Sequence, residues 1–209
     1  MTSVSAILLA AGSSQRMGVP KALLTIDGKT FLQHLVDAVH AAGPDDVRII
    51  LGAEAVLLQS TLSWYHGNVV VNENWRDGQL SSMIAGINSL TEEQCSGVLF
   101  VPVDHPLITS ALIKELLHIF EESKEQIVVP TYQNRRGHPI VVPSVLFQEI
   151  KNAPVEVGLR YVVHAHEGKI VEVPTDEEGV IINIDTPDEY QKYIISRNAQ
   201  EPIADEFRS

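Results

Sequence analysis

The chain has a single cysteine, no long hydrophobic run and fewer basic than acidic residues. Cys95 has no second cysteine with which to form an internal disulfide, which excludes a disulfide-stabilised scaffold. The longest apolar run, residues 6–11, is far shorter than the roughly 20 residues of a membrane-spanning helix. No basic region precedes that run, as one would in a secretory signal. These absences predict a cytoplasmic protein with no membrane partner.

The shortage of basic residues excludes another class of partner. The chain has 15 Lys and Arg against 27 Asp and Glu, a net charge of −12, whereas binding to nucleic acid depends on a basic surface. The charge is nevertheless uneven, because residues 1–26 and 126–148 contain no acid while residues 172–209 contain ten acids and three bases. The acid-free segments favour binding of an anionic small molecule. The alternative is that they are ordinary apolar strands and polar loops.

The length of 209 residues suits one domain, which we place at residues 1–198, followed by an acidic tail at 199–209 that we expect to be frayed. Apolar strands alternate with helices of amphipathic spacing, which is typical of a parallel sheet covered by helices on both faces. Two strands at 127–130 and 138–142 flank a polar loop and are expected to pair antiparallel. The other predicted strands are 3–9, 47–51, 68–71, 97–103, 170–173 and 180–184. The predicted helices are 30–42, 53–62, 80–90, 110–122, 145–150, 158–165 and one that starts at 186–189.

The most informative segment follows the first predicted strand. It reads Leu9-Ala10-Ala11-Gly12-Ser13-Ser14-Gln15-Arg16-Met17-Gly18-Val19-Pro20-Lys21. Small residues at positions 10–12 allow backbone N–H groups to approach a ligand at the carboxyl edge of the sheet, and Gly12, Ser13 and Ser14 can offer donors to phosphate oxygens. Arg16 and Lys21 add two positive charges. The segment therefore predicts a triphosphate site that follows neither the Walker nor the G-x-G-x-x-G pattern.

These residues resemble the signature L-A-[AG]-G-x-S-x-R-M-G-x-x-K of the MobA-like nucleotidyltransferases. The segment 72–82 with Gly86, the tetrapeptide Arg136-Gly137-His138-Pro139 and the later pair of Gly158 and Arg160 look like motifs of the molybdenum cofactor cytidylyltransferases within that superfamily. The resemblance extends to about residue 195. It implies a Rossmann-like three-layer sandwich with a mostly parallel sheet and a small antiparallel portion. Family members that begin Leu-Ala-Ala-Gly tend to use CTP and those that begin Leu-Ala-Gly-Gly tend to use GTP, so the resemblance implies CTP as the nucleotide here.

Two aspartates are candidate metal ligands. A triphosphate usually binds as its Mg²⁺ complex, which one or two carboxylates hold, and Mn²⁺ is a possible substitute. Asp104 directly follows the apolar strand 97–103, and Asp185 follows the predicted strand 180–184. Both would lie at the carboxyl edge of the sheet. A turn at the start of a helix is the alternative role for each.

The remaining candidates have open alternatives. Asn72, Ser81 and Ser82 are predicted to contact the nucleotide, or else to form a turn and cap a helix. His138 and Arg160 are predicted to bind the acceptor, although a buried histidine and a surface ion pair are the alternatives. The nucleotide-binding residues are then Leu9, Ala10, Ala11, Gly12, Ser13, Ser14, Arg16, Lys21, Asn72, Ser81 and Ser82, with Arg16, Lys21 and Asp104 as the catalytic residues.

The resemblance implies an enzyme that moves CMP from CTP to the terminal phosphate of molybdopterin, with a molybdoenzyme as a further possible partner. No general base is evident, and a phosphate nucleophile needs none because it is already anionic at neutral pH. Two alternatives remain: a nucleotidyltransferase that acts on a sugar or polyol phosphate, and a nucleotide-binding chaperone that delivers the finished cofactor.

Overall fold

The computed structural model describes residues 3–44, 46–91, 95–123 and 125–198. The predicted tail at 199–209 lies outside them. The strands are β1 (Ser3–Ala10), β2 (Thr25–Ile26), β3 (Lys29–Thr30), β4 (Val47–Leu51), β5 (Asn68–Val71), β6 (Cys95–Pro102), β7 (Ile127–Tyr132), β8 (Arg135–Arg136), β9 (Ile140–Pro143) and β10 (Ile170–Pro174). The helices are α1 (Phe31–Ala42), α2 (Ala55–Thr61), α3 (Gln79–Asn88), α4 (Ser110–Glu122), α5 (Phe147–Lys151), α6 (Arg160–Ala165) and α7 (Pro187–Tyr190). Helix α7 continues through a π-helical turn, Gln191–Ile195, into Ser196–Asn198.

One sheet organises the described residues. Its strand order is β10-β7-β9-β6-β1-β4-β5, with β8 paired to β7. The pairings of β1 with β4 and β6, of β4 with β5, and of β7 with β10 are parallel, whereas β9 runs antiparallel to both β6 and β7. The predicted fold, a mostly parallel sheet with a small antiparallel portion, is therefore confirmed.

Helices cover both faces of this sheet, because its inner strands are apolar on both sides. Along β1, Ala6, Leu8 and Ala10 face the core that contains α1 and α4, while Ile7 and Leu9 face the core that contains α3, α5 and α6. This alternation gives three layers. Within the part of the chain that the structure describes, no helix is long and apolar enough to cross a membrane.

Threonine caps begin three of the helices, as their sequence positions indicate. Thr30 and Thr186 each form a capping box with the residue three positions later, and the Thr109 side chain accepts a hydrogen bond from the N–H of Leu112 at 3.2 Å. Pro187 occupies the first turn of α7, where its missing N–H is tolerated. These local signals explain why the helix starts were predictable.

The predicted strand at 180–184 is wrong. Residues Glu178–Ile181 form a 3₁₀ helix, and the segment that follows makes single hydrogen bonds instead of a ladder. The Val180 carbonyl accepts from the N–H of His138 at 2.8 Å, and the Ile184 N–H donates to the Asp104 carbonyl at 2.7 Å. The segment is apolar because Val180 and Ile184 are fully buried in the core, not because it belongs to the sheet.

The structure contains a small hairpin that was not predicted from the sequence. Strands β2 and β3 pair antiparallel around Asp27 and Gly28, which have φ angles of 51° and 77°. The Asp-Gly pair is a recognised signal for this kind of turn. The Tyr190 hydroxyl donates to the Thr25 carbonyl at 2.8 Å, so the hairpin is held against α7.

Candidate active site

A cleft of about 420 Å³ lies at the carboxyl edge of the parallel strands. It lies where the loops after β1 and β6 leave the sheet, which is the usual ligand position in open α/β folds. Most of the predicted nucleotide-binding residues line it, together with residues from the start of α3. The lining consists of Leu9, Ala10, Ala11, Gly12, Ser13, Ser14, Arg16, Pro20, Lys21, Ala22, Leu58, Trp75, Arg76, Gly78, Gln79, Ser82, Pro102, Val103, Asp104 and Asp185.

The loop after β1 is shaped by Ser14. Ser14 has a φ angle of 50°, and its carbonyl accepts from the N–H groups of Met17 and Gly18, both at 3.0 Å. Its hydroxyl accepts from the backbone N–H of Lys21, also at 3.0 Å. Ser14 therefore folds the loop back so that Lys21 points into the cleft. A direct phosphate contact by Ser14 stays a prediction.

Gly12 leaves open space above this loop. A Cβ atom added at Gly12 would meet no heavy atom within 4 Å, and its φ angle is not in the left-handed region. Neither packing nor backbone strain therefore requires glycine at this position. A ligand that approaches the backbone closely would require it, which fits a phosphate-binding role.

Four charged side chains meet at one end of the cleft. Lys21 Nζ lies 2.5 Å from Asp185 Oδ1 and 3.2 Å from Asp104 Oδ2, and Arg16 contacts Asp185 Oδ2 at 2.8 Å. The Lys21 and Asp185 side chains are each 13% exposed. All three predicted catalytic residues and both predicted metal ligands are thus brought together. We refer to Arg16, Lys21, Asp104 and Asp185 as the charge cluster.

The charge cluster keeps Asp185 ionised. Burial raises the pKa of Asp185, but the hydrogen bond and charge of Lys21, with Arg16, outweigh it, so the pKa lies below its ordinary value. Asn183 adds a hydrogen bond to Asp185 Oδ2 at 2.6 Å, and Glu189 accepts from the Asp185 N–H at 2.8 Å. Asn183 was not among the predicted site residues, although it stands only two residues before a candidate ligand.

The charge cluster has the chemistry of a divalent cation site. Oxygens of Asp104 and Asp185 converge on one cationic atom, the Lys21 ammonium nitrogen, so they can share a cation. Two carboxylates completed by phosphate oxygens and waters are what Mg²⁺ favours. Within the described residues, no group of three or more His, Cys, Asp or Glu side chains is arranged to hold a metal by itself. A metal here would therefore depend on the nucleotide for its remaining ligands.

Asn72 and Ser81 are engaged inside the protein. Asn72 is 5% exposed, and its Nδ2 donates to the hydroxyls of Ser81 at 2.8 Å and Ser82 at 3.0 Å. Its Oδ1 accepts from the Asn74 N–H at 3.0 Å. Asn72 thus ties the loop after β5 to the first turn of α3, and Ser82 lines the cleft. Nucleotide contacts by these three residues stay predictions.

Trp75 and Arg76 add an aromatic and cationic wall that the predicted site residues did not include. The Arg76 guanidinium lies 4.4 Å from the Trp75 ring centroid, and both residues line the cleft. Gly52 lets this wall approach the loop after β1, because a Cβ there would lie 2.6 Å from both the Ala11 carbonyl oxygen and Trp75 Cβ. The available signal was Trp75 itself, because it lies in the motif-like segment 72–82.

His138 and Arg160 are not among the residues that line the cleft. The His138 ring lies edge-on to the ring of His105, with centroids 4.7 Å apart, and Nδ1 of each ring is buried without a hydrogen-bond partner among the described residues. Burial and the charge of His105 outweigh the effect of Asp104 and lower the pKa of His138 to about 4, so His138 is neutral at pH 7. Arg160 is exposed at the start of α6. That these two residues bind the acceptor stays a prediction.

The basic segment 126–148 is less available for binding an anionic ligand than its sequence indicated. Arg136 donates to Glu167 Oε2 at 3.0 Å and to Glu172 Oε1 at 2.7 Å. Hydrogen bonds to Glu167 and then Glu172 raise the pKa of Arg136 above its ordinary value. The segment has no acid of its own, yet acids more than thirty residues later neutralise one of its cations.

The parallel sheet, the loop at residues 11–20 after β1, which we call the glycine loop, and the charge cluster define an α/β protein of the nucleotidyltransferase type. Comparison with known proteins identifies the family: residues 6–170 match the model of the MobA-like NTP transferase domain, and the chain belongs to this family.

Among its relatives, nicotine blue oxidoreductase of Paenarthrobacter nicotinovorans is 32% identical over 153 residues, which cover 68% of this chain and 72% of that protein. Molybdenum cofactor guanylyltransferase of Shewanella sp. (strain W3-18-1) is 23% identical over 200 residues, which cover 93% of this chain and 97% of that protein. Among solved structures, Rv0371c of Mycobacterium tuberculosis in complex with manganese superposes with a TM-score of 0.77 at 24% identity, covering 93% of this chain and all of that one.

Proposed function

We propose that this protein transfers CMP from CTP to the terminal phosphate of a molybdopterin-type acceptor and releases pyrophosphate. The observation that carries this proposal is the charge cluster at the end of the glycine loop, where Lys21 lies between Asp104 and Asp185. A nucleotidyltransferase needs cations for the triphosphate and a carboxylate pair for a divalent metal at the same place. Support also comes from the relatives that are named molybdenum cofactor guanylyltransferases.

The reaction requires alignment more than proton transfer. An oxygen of the acceptor phosphate forms a bond to the α-phosphorus of CTP, while the bond from that phosphorus to the bridging oxygen breaks and pyrophosphate leaves. Because the nucleophile is already anionic, no side chain has to remove a proton. The protein's task is to hold two phosphates close together and to offset their mutual repulsion.

Residues of the charge cluster and the glycine loop would perform this task. Lys21 and Arg16 would neutralise oxygens of the triphosphate, and backbone N–H groups beside Gly12 would donate to them. Asp104 and Asp185 would hold Mg²⁺, or Mn²⁺ as in the Rv0371c structure, and the bound metal would supply charge screening at the phosphates. The triphosphate offers Lys21 a new partner, which would free the two carboxylates for the metal.

We propose CTP over GTP as the donor because position 11, which lines the cleft, is alanine and not glycine. Ala11 packs so closely against Gly52 that a Cβ on Gly52 would lie 2.8 Å from Ala11 Cβ. A glycine at position 11 would leave more room for a purine, whereas alanine leaves a smaller space that suits a pyrimidine. GTP is the competing donor, because the Shewanella relative that is matched over 97% of its length is named a guanylyltransferase.

The molybdopterin-type acceptor is proposed from the likeness to the family. Arg160 is proposed as a residue that contacts the acceptor. A molybdoenzyme is proposed as the client that receives the product. We keep the cytoplasm as the proposed location. An acceptor that is a sugar or polyol phosphate, or a chaperone role without turnover, would use the same nucleotide cleft. These alternatives are therefore separated by turnover with defined acceptors, not by nucleotide binding.

The first experiment identifies the nucleotide donor by its binding to the protein. CTP, GTP, ATP and dTTP are each added with Mg²⁺ or Mn²⁺ while thermal unfolding is monitored. At a CTP concentration of about 100 times Kd, the stabilisation should be about 2.7 kcal/mol, equivalent to a Tm increase of roughly 5–10 °C. A larger shift with GTP or dTTP would overturn CTP as the donor.

Pyrophosphate release then tests the reaction. Release from CTP should require molybdopterin and should not occur with sugar or polyol phosphates. The Lys21→Ala variant should reduce turnover by about 100-fold or more, because it removes a cation from the developing phosphate charge. CTP binding without pyrophosphate release in the presence of molybdopterin would favour the chaperone.

One relative favours a second candidate. The protein from Paenarthrobacter nicotinovorans that is 32% identical is named an oxidoreductase. A redox role would need a hydride donor such as a nicotinamide dinucleotide, whose two phosphates could occupy the same cleft. Adding NADH and NADPH to the thermal series tests this candidate, and a shift that exceeds those of all NTPs would favour it.

A further inference from the structure

Three segments of the chain pack against one another next to the charge cluster. The first, residues 104–107, leaves β6; the second, 137–139, precedes β9; the third, 178–184, leads to Asp185. The His138 N–H donates to the Val180 carbonyl at 2.8 Å, and the Ile184 N–H donates to the Asp104 carbonyl at 2.7 Å. The rings of His105 and His138 lie edge-on, 4.7 Å apart and inclined by 60°. Each segment therefore contacts the other two.

Two glycines make this contact close. A Cβ on Gly137 would lie 2.3 Å from the Val180 carbonyl oxygen, and a Cβ on Gly179 would lie 2.7 Å from Leu107 Cβ. Real Cβ atoms do not approach so closely, so these positions exclude a side chain unless the backbone moves. The segments are thus packed backbone to backbone, and a shift of one must displace its neighbours.

This packing determines where the two carboxylates lie. Asp185 is not held by a strand, because the chain from Ile182 to Asp185 belongs to neither a strand nor a helix. Its position depends on the hydrogen bond of Ile184 to Asp104 and on the anchoring of Val180 by His138. The segment that contains His138 therefore contributes to the separation of the two carboxylates that contact Lys21.

We propose that His138 is a positioning residue whose ring, packed on His105, holds the Asp104 and Asp185 segments at the spacing that lets the two carboxylates share one cation. This inference rests on the proposed function for the identity of that cation. It differs from the acceptor-binding role that the sequence suggested for His138. In the positioning role the shape of the ring matters and its nitrogens do not.

Two substitutions separate these roles. His138→Ala removes the ring, whereas His138→Phe keeps an aromatic ring that can lie edge-on to His105 but has no nitrogen. Binding of Mn²⁺ in the presence of CTP is measured by electron paramagnetic resonance for both variants and the wild type. His138→Ala should weaken Mn²⁺ binding by about tenfold or more, and His138→Phe should remain within about threefold of the wild type. Equal losses in both variants, or no loss in either, would overturn the inference.

A second measurement does not depend on the metal. Exchange of the Ile184 amide hydrogen, which is bonded to Asp104, should be at least about tenfold faster in His138→Ala and unchanged in His138→Phe. Circular dichroism checks that each variant is folded, and His138→Leu replaces the alanine variant if that one does not fold. If wild-type protein binds no Mn²⁺ with CTP, the proposed function fails while the exchange measurement still tests the positioning role. Unchanged exchange in a folded alanine or leucine variant would contradict it.

Discussion

Gly12 is a residue whose identity the protein's own packing does not explain. A Cβ atom there meets nothing within 4 Å, and the backbone is not in the left-handed region. The four residues of the charge cluster contact one another, whereas Gly12 offers only backbone and open space. Its role is therefore tested best by adding atoms.

Gly12→Ala should leave the unfolding temperature almost unchanged and weaken CTP binding by about tenfold, because the new methyl group would occupy space that the phosphates need. Isothermal titration with CTP and Mg²⁺ measures the affinity. Gly168→Ala is the matched control, since a Cβ at Gly168 also meets nothing within 4 Å but the residue lies away from the cleft. Equal affinities in both variants would contradict a phosphate cradle at Gly12.

The buried histidine of the R-G-H-P motif makes stability depend on pH. Burial, then the charge of His105, lowers the pKa of His138 to about 4 from its ordinary value of 6.5, so between these values the unfolded chain binds a proton that the folded protein does not. The contribution of His138 to the free energy of unfolding is therefore complete above pH 6.5 and is lost as the pH falls towards 4.

Urea unfolding between pH 7 and 4.5 should therefore show a steeper loss of stability in the wild type than in His138→Phe. His118→Gln, at an exposed histidine on α4, should follow the wild type. A wild-type curve parallel to that of His138→Phe would show that His138 titrates alike in both states.

At the scale of elements, the start of α7 matters for the site because it follows Asp185 directly. The Thr186 hydroxyl accepts from the Glu189 N–H at 3.3 Å, and the Glu189 carboxylate accepts from the N–H groups of Asp185 and Thr186. The capping box therefore fixes the backbone from which the Asp185 side chain extends. Thr30 forms the same motif at α1, away from the cleft.

Thr186→Ala and Thr30→Ala should each cost about 1 kcal/mol of unfolding free energy, since each removes a helix cap. Only Thr186→Ala should also weaken Mn²⁺ binding in the presence of CTP, because only that cap adjoins a carboxylate of the charge cluster. Chemical denaturation and Mn²⁺ titration of both variants provide the comparison. Similar Mn²⁺ affinities would mean that α7 does not position Asp185.

At the scale of the whole molecule, the charge cluster joins distant parts of the chain. Lys21 and Asp185 are 164 positions apart, and their side chains are each 13% exposed. The Arg16 contact, and the Tyr190 hydrogen bond to the β2–β3 hairpin, connect the same two regions. The first and last parts of the described chain are thus held together at the cleft.

A double-mutant cycle on Lys21→Met and Asp185→Asn should give a coupling energy of about 1–3 kcal/mol at neutral pH, because the pair is largely shielded from water. The pair Lys29 and Asp37, 2.6 Å apart but with both side chains more than half exposed, is the matched control. A cycle on Lys29→Met and Asp37→Asn should give less than about 1 kcal/mol. Urea denaturation measures both, and equal couplings would show that burial adds nothing to the Lys21 pair.

Folding pairs part of the excess negative charge of the chain with basic residues that are distant in sequence. The acids that follow residue 171 do not all remain on the outer surface. Asp185 pairs with the first acid-free segment, and Glu172 pairs with Arg136 of the second. The uneven charge along the chain therefore becomes local pairing across it, and the charge cluster becomes electrically balanced before any ligand binds.

The sequence by itself determined the layer pattern, most strand and helix positions, and the place of the cleft. Apolar runs, threonine caps and the small residues after β1 act over a few neighbours, so their effects can be read along the chain. Only the tertiary structure decided that Asn72 turns inward, that Arg136 meets Glu167, and that Asp185 reaches Lys21 without a strand. Each depends on partners that are distant in sequence or on packing around the side chain, and a local pattern contains no information about which distant groups will meet.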